Sequence, residues 1–147
     1  MKEKLLSTFL IIYGLIHITF ELSIYDSNTG DYVGWTRQSW ILSDVLGTTA
    51  VTIIGLILWS LTVSGFVAAG IMLLMKRKEW RIAAIVTSFI SLITYLFLWD
   101  GLAPEPMSWI AGSVVSGIIV IALLIFKWPK DEKLFATKID DQVLVKV

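Results

Sequence analysis

The sequence predicts an all-α, polytopic membrane protein built as a bundle of four transmembrane helices. Hydrophobic residues make up 56% of the 147 residues, and the mean hydropathy is +0.80. These residues form long apolar runs, which a soluble domain of this size could not bury. The lysines and arginines fall between the runs in the pattern that orients membrane proteins.

Four apolar segments are long enough to cross a membrane. A hydrocarbon core about 30 Å thick needs about 20 helical residues at a rise of about 1.5 Å each. The first segment resembles a secretory signal peptide, but no convincing small-residue cleavage site follows it, so we expect it to remain a helix. The predicted spans are about residues 5–23, 51–75, 80–99 and 107–126. They make residues 1–130 a transmembrane domain, followed by a polar cytoplasmic tail over residues 131–147.

The connections between the spans differ in character. Residues 25–46 contain a turn-rich stretch and then the aromatic, amphipathic run 35–43, which predicts a short interfacial helix in the first outer loop. Residues 76–79 form a tight connection, which makes the second and third spans an antiparallel pair. The second span is the longest of the four and begins after a glycine and two threonines, so we expect it to tilt or to project from the bilayer.

The basic residues predict the orientation. If the amino terminus lies inside, Arg37 is the only one of the 12 lysines and arginines that falls outside. The outer segments then hold six acidic residues: Glu21, Asp26, Asp31, Asp44, Asp100 and Glu105. Since short loops obey the positive-inside preference, we predict a multi-pass protein of the cell membrane with both termini in the cytoplasm.

Several classes of function are excluded by composition. The chain has no cysteine and one histidine, so disulfides, thiolate chemistry, Cys-ligated clusters and His-rich metal sites cannot be built from it alone. No basic run is interleaved with aromatics, which argues against nucleic acid as a partner. We therefore predict no cofactor and no metal, and we expect membrane lipid as a partner, with other membrane subunits or a homo-oligomer as further candidates.

The first span carries three polar residues at intervals of four: Tyr13, His17 and Glu21. This spacing predicts that they share one face of a helix. Ionisable groups inside a bilayer are costly, so they normally face the bundle interior or water, and a His with a carboxylate can relay protons or orient a ligand. The alternative is structural: Glu21 is solvated at the outer headgroup level and His17 is hydrogen-bonded to a neighbouring helix.

Further polar groups are expected at the same outer level. Asp44 precedes the second span, and Asp100 closes the third span near Tyr95. With His17 and Glu21 they could line an outward-facing mouth for a ligand amine or a divalent cation. The alternative, which we favour, is that these acids cap helix ends. The candidate ligand-binding set is thus Tyr13, His17, Glu21, Asp44, Tyr95 and Asp100.

Small and hydroxyl residues recur along the later spans. Gly112 and Ser116 are four residues apart in the fourth span, and Ser88 and Ser91 lie in the third. Such residues let helices approach closely and bond across the contact, so we interpret them as packing positions. A polar channel lined by the serines is the less favoured alternative.

Two resemblances accompany these patterns. At the runs IYGLIH (12–17) and GFVAAG (65–70), and at the basic turn with Trp80, the chain resembles small prokaryotic four-helix membrane proteins grouped with the DoxX-like proteins. That resemblance implies the four-helix fold and an association with membrane redox complexes. The His17-x-x-x-Glu21 spacing is also similar to that of EXPERA-type proteins, whose cavity binds sterol-like ligands, and implies Asp44 and Asp100 as further acidic groups.

Two hypotheses on function follow. The leading one is a non-catalytic protein, either an accessory subunit or a binder of a small lipophilic ligand in the outer half of the bundle. It rests on the scarcity of ionisable groups within the spans. The competing one is a small membrane enzyme or proton-coupled carrier that uses His17 and Glu21 as acid–base groups.

Overall fold

The computed structural model describes residues 2–22, 24–103, 106–130 and 134, which are mostly helical. Short 3-10 helices at Trp99–Gly101 and Pro106–Trp109 lead into the last long helix. The longer helices are α1 (Lys2–Ile16), α2 (Ile18–Leu22), α3 (Ser43–Leu74), α4 (Trp80–Phe97) and α5 (Ile110–Val120), which continues as a π-helix over Ile121–Ile125.

Three helices in the described part of the chain are long and apolar enough to cross a membrane. They are Glu3–Leu22, which runs through α1 and α2, Ser43–Leu74 and Trp80–Phe97. The apolar helix Ile110–Ile125 is shorter, and at about 1.5 Å per residue it extends about 24 Å. The helical fold class is therefore confirmed, three predicted spans have the required length and composition, and the fourth span stays a prediction.

The loop after α2 differs from the prediction. Its strands β1 (Ile24–Asp26) and β2 (Asp31–Trp35) form a small antiparallel sheet with β3 (Leu102–Ala103), which lies between α4 and α5; the strand order is β1-β2-β3. Gly30, with a φ of 78°, closes the turn between the first two strands. The predicted interfacial helix over residues 35–43 is wrong, because residue 35 ends a strand and the next helix begins at Ser43.

Trp35 explains this difference. Its side chain has no exposed surface, and its Nε1 donates a hydrogen bond to the Gln38 carbonyl at 2.8 Å. The ring lies against Gly55 of α3 and Gly101, where a Cβ atom would collide with it. The aromatic run 35–43 predicted a side chain at the membrane–water interface. The indole of Trp35 lies in the core instead, and its burial keeps this segment extended.

The helix α3 is longer than its predicted span. It has 32 residues and begins eight residues before the predicted start, with a non-helical kink at Gly47. At about 1.5 Å per residue it would extend about 48 Å, well beyond a hydrocarbon core of about 30 Å. This length agrees with the expectation that the helix tilts or projects.

The bundle packs around two apolar clusters. The Trp80 cluster includes Leu10, Phe66, Trp80, Ile119 and Leu123. The Trp59 cluster consists of Phe20, Trp35, Val51, Trp59, Tyr95, Leu98 and Leu102. Small residues bring the helices together, as where Ser7 of α1 donates to the Gly70 carbonyl of α3 at 2.6 Å.

Candidate functional site

His17 lies in the centre of the bundle, at the end of α1. Its side chain has no exposed surface, as the interior placement predicted. The Tyr13 ring packs against the imidazole edge-on at 4.7 Å between centroids. Four further aromatic rings have centroids within 6.0 Å of the imidazole: Phe20, Trp59, Phe66 and Tyr95.

Both imidazole nitrogens have partners. The Nδ1 atom lies 2.7 Å from the Tyr13 carbonyl oxygen, which can only accept, so Nδ1 carries the hydrogen. The Nε2 atom lies 3.3 Å from the Ser91 hydroxyl of α4 and accepts from it in the neutral ring. The neutral imidazole is thus satisfied by protein groups.

The hydrogen bonds continue from α4 to α5. The Ser116 hydroxyl donates to Ser91 at 2.9 Å, and it lies 2.8 Å from the Tyr13 hydroxyl. The Tyr13 hydroxyl in turn donates to the Gly112 carbonyl at 2.6 Å. We call Tyr13, His17, Ser91, Gly112 and Ser116 the polar chain. It joins α1, α4 and α5, and because its members are largely shielded from solvent, it fixes how these helices pack.

Glu21 is not part of the polar chain. The helix is interrupted at His17, where α1 ends at Ile16 and α2 begins at Ile18. Beyond this interruption, the Glu21 carboxylate accepts a hydrogen bond from Ser60 of α3 at 2.9 Å on an exposed part of the surface. Four-residue spacing therefore places Tyr13 and His17 together, but it does not produce a hydrogen-bonded His17–Glu21 pair.

The remaining candidate residues separate into buried and exposed positions. Tyr95 is 1% exposed, and its hydroxyl has no hydrogen-bond partner among the residues that the structure describes. Asp44 is exposed in the first turn of α3, where a carboxylate interacts favourably with the helix dipole. Asp100 is exposed in a 3-10 helix. Within the described ranges, no group of three His, Cys, Asp or Glu residues could hold a metal ion.

A cavity of about 230 Å³ lies between α1 and α5, beside the Trp80 cluster. The sequence did not predict this cavity, because side-chain periodicity does not show where packing leaves space. Its side-chain walls are apolar, and none of the six candidate residues lines it. The lining consists of Leu6, Phe9, Leu10, Trp80, Val115, Ile118, Ile119, Ala122, Leu123, Trp128 and Pro129.

No family model, curated protein or solved structure matches this chain. The resemblances to DoxX-like and EXPERA-type proteins therefore stay predictions.

The geometry separates a closed polar region from an open apolar one. In the polar chain, the two His17 nitrogens and the Tyr13 hydroxyl are all bonded within the protein. The cavity instead offers apolar side chains, of which Ile118 is 58% and Trp128 63% exposed, so it opens at the protein surface. Such a cavity binds by burial of apolar area, which is worth about 25 cal/mol per Å².

Proposed function

We propose that this chain is a non-catalytic, multi-pass membrane protein that holds a small lipophilic ligand in the cavity between α1 and α5. The observation that carries the proposal is the apolar cavity of about 230 Å³, which opens at the surface. Its volume lies below the usual range of about 300–1,000 Å³ for small-molecule sites. The size favours a single alkyl chain over a polycyclic ligand.

The polar chain supports a non-catalytic role. An acid–base group needs a proton-accepting position open to substrate or water. His17 is fully buried, and its Nε2 is directed to Ser91. Glu21, the other member of the competing hypothesis, is bonded to Ser60. Both side chains thus have structural partners, and this favours the lipophilic-ligand hypothesis over the enzyme or carrier.

A photoreactive fatty acid tests the proposal in nanodiscs. We expect a diazirine on the alkyl chain to label residues around the cavity, as mapped by mass spectrometry of peptides. Ala122→Phe places a ring in the cavity wall and should lower this labelling at least about fivefold, the equivalent of about 1 kcal/mol.

Ala111→Phe is the matched control, because Ala111 is an exposed residue of the same helix outside the cavity lining. This variant should be labelled like the parent protein. Labelling spread evenly over the exposed helix faces, and unaffected by Ala122→Phe, would contradict ligand binding in the cavity.

Labelling of introduced cysteines tests the proposed orientation, because the chain has none of its own. Asp31 and Arg77 are both exposed. We expect Asp31→Cys to react with an impermeant maleimide in intact cells, and Arg77→Cys to react only after permeabilisation, since lysines and arginines favour the cytoplasmic side. The reverse pattern would overturn the orientation.

A further inference from the structure

We propose that the ligand of the cavity is an anionic phospholipid, with one acyl chain in the cavity and its phosphate beside Lys127 and Lys130. This inference rests on the proposed function, because it assigns a chemical class to the same cavity. The evidence for an anionic headgroup is the set of cationic groups at one end of the cavity. A ligand that is only apolar would have no use for these groups.

The cationic groups adjoin the lining residues directly. The Arg81 guanidinium donates to the carbonyl oxygens of Leu123 and Pro129, which both line the cavity. Lys127 and Lys130 are exposed, and they flank the lining pair Trp128 and Pro129 in the chain. Two exposed lysines thus flank the segment whose Pro129 carbonyl accepts a hydrogen bond from the Arg81 guanidinium.

Among the described residues, the charge balance at this end of the cavity favours an anion. Lys4 adds an exposed cation two residues before the lining residue Leu6. Among the described residues, the acidic side chains nearest to the lining in the chain are Glu3, which is half-buried beside Lys4, and Glu79, which pairs with Arg77 at 3.8 Å. Asp131 and Glu132 follow Lys130 in the sequence and lie outside the described residues. Basic residues at a membrane surface attract anionic lipid headgroups.

The π-helix and the residues after it connect the cavity wall directly to Lys127. The π-helix Ile121–Ile125 contains the lining residues Ala122 and Leu123, and wide turns of this kind occur frequently at functional sites. Phe126 follows it, and then come Lys127 and the exposed Trp128, a residue type that favours the headgroup region. An acyl chain in the cavity would therefore place its phosphate near the lysines.

Native mass spectrometry of the detergent-solubilised full chain tests the inference. Phosphatidylglycerol and phosphatidylcholine with identical acyl chains are titrated separately. We expect phosphatidylglycerol to bind about tenfold more tightly, as a few favourable cationic contacts allow. Ala122→Phe should abolish the binding of both lipids.

The lysines are tested by a pair of matched variants. Lys127→Gln/Lys130→Gln should lower the affinity for phosphatidylglycerol to that for phosphatidylcholine. Lys127→Arg/Lys130→Arg keeps the charge and should keep the preference. A preference that survives the glutamine variant would overturn the inference.

The failures of the two proposals are distinguishable. Equal affinity for the two lipids, lost in both cases with Ala122→Phe, would overturn the anionic phospholipid and leave a lipophilic-ligand site. Binding of neither lipid, or binding that Ala122→Phe does not change, would overturn both proposals. A lipid-free dimer that forms only with the cavity unfilled would assign the cavity to a second copy and would also overturn both.

Discussion

Gly55→Ala is expected to lower the free energy of unfolding by about 3 kcal/mol, the upper part of the usual range for overpacking a core. The added Cβ would overlap the six-membered ring of Trp35. That indole has no exposed surface, and its hydrogen bond to the Gln38 carbonyl restricts its movement. Reversible unfolding in mixed micelles of mild detergent and dodecyl sulfate would measure the loss.

Gly117→Ala is the matched control, because, apart from its chain neighbours and the backbone of its own helix, no described atom lies within 4 Å of the Cβ that would be added. It changes the same atoms on an apolar helix and should be neutral or stabilising by up to about 1 kcal/mol, through the higher helix propensity of alanine. Equal effects of the two substitutions would show that Trp35 does not occupy the space beside Gly55.

His17→Ala is expected to cost about 2 to 4 kcal/mol of unfolding free energy. The change removes interhelical bonding worth about 0.6 to 2 kcal/mol in membranes and leaves a cavity among packed rings. His17 contacts Ser91 through Nε2 and has four further aromatic neighbours besides Tyr13. The same micelle titration measures the change.

Ile16→Ala serves as its control, because Ile16 is 49% exposed beside His17 in the chain and should tolerate truncation. Labelling by the photoreactive fatty acid, per folded molecule, should stay at the parent level in both variants, since neither residue lines the cavity. Normal stability with loss of this labelling in His17→Ala would instead support the competing hypothesis, in which the imidazole acts on a ligand or a proton.

The sequence predicted the features that depend on local periodicity. Long apolar runs predicted the helices, and four-residue spacing predicted that Tyr13 and His17 share the interior face. The interpretation of Gly112 and Ser116 of α5 as packing positions is also confirmed, since Tyr95 lies against Gly112, and Ser116 is fully buried and within hydrogen-bonding distance of Tyr13 and Ser91. In each case the spacing of residues along one helix determines which face of the helix they share.

The features that depend on distant contacts were not predictable from the sequence. Trp35 lies in a polar, turn-rich loop, and its burial requires glycines at 55 and 101 to come together. The position of the Glu21 side chain depends on an interruption of the helix at His17. No proline or glycine at that position indicates this interruption. The cavity results from how side chains of α1 and α5 leave space, and no repeat in the chain encodes that volume.

The small sheet joins two connections that are far apart in the chain. Strand β2 belongs to the connection between α2 and α3, whereas β3 belongs to the connection between α4 and α5. The Thr36 amide also donates to the Gly101 carbonyl at 2.6 Å across the same junction. An antibody against this side of the protein would therefore recognise a composite epitope, and a linear peptide from either connection would reproduce only part of it.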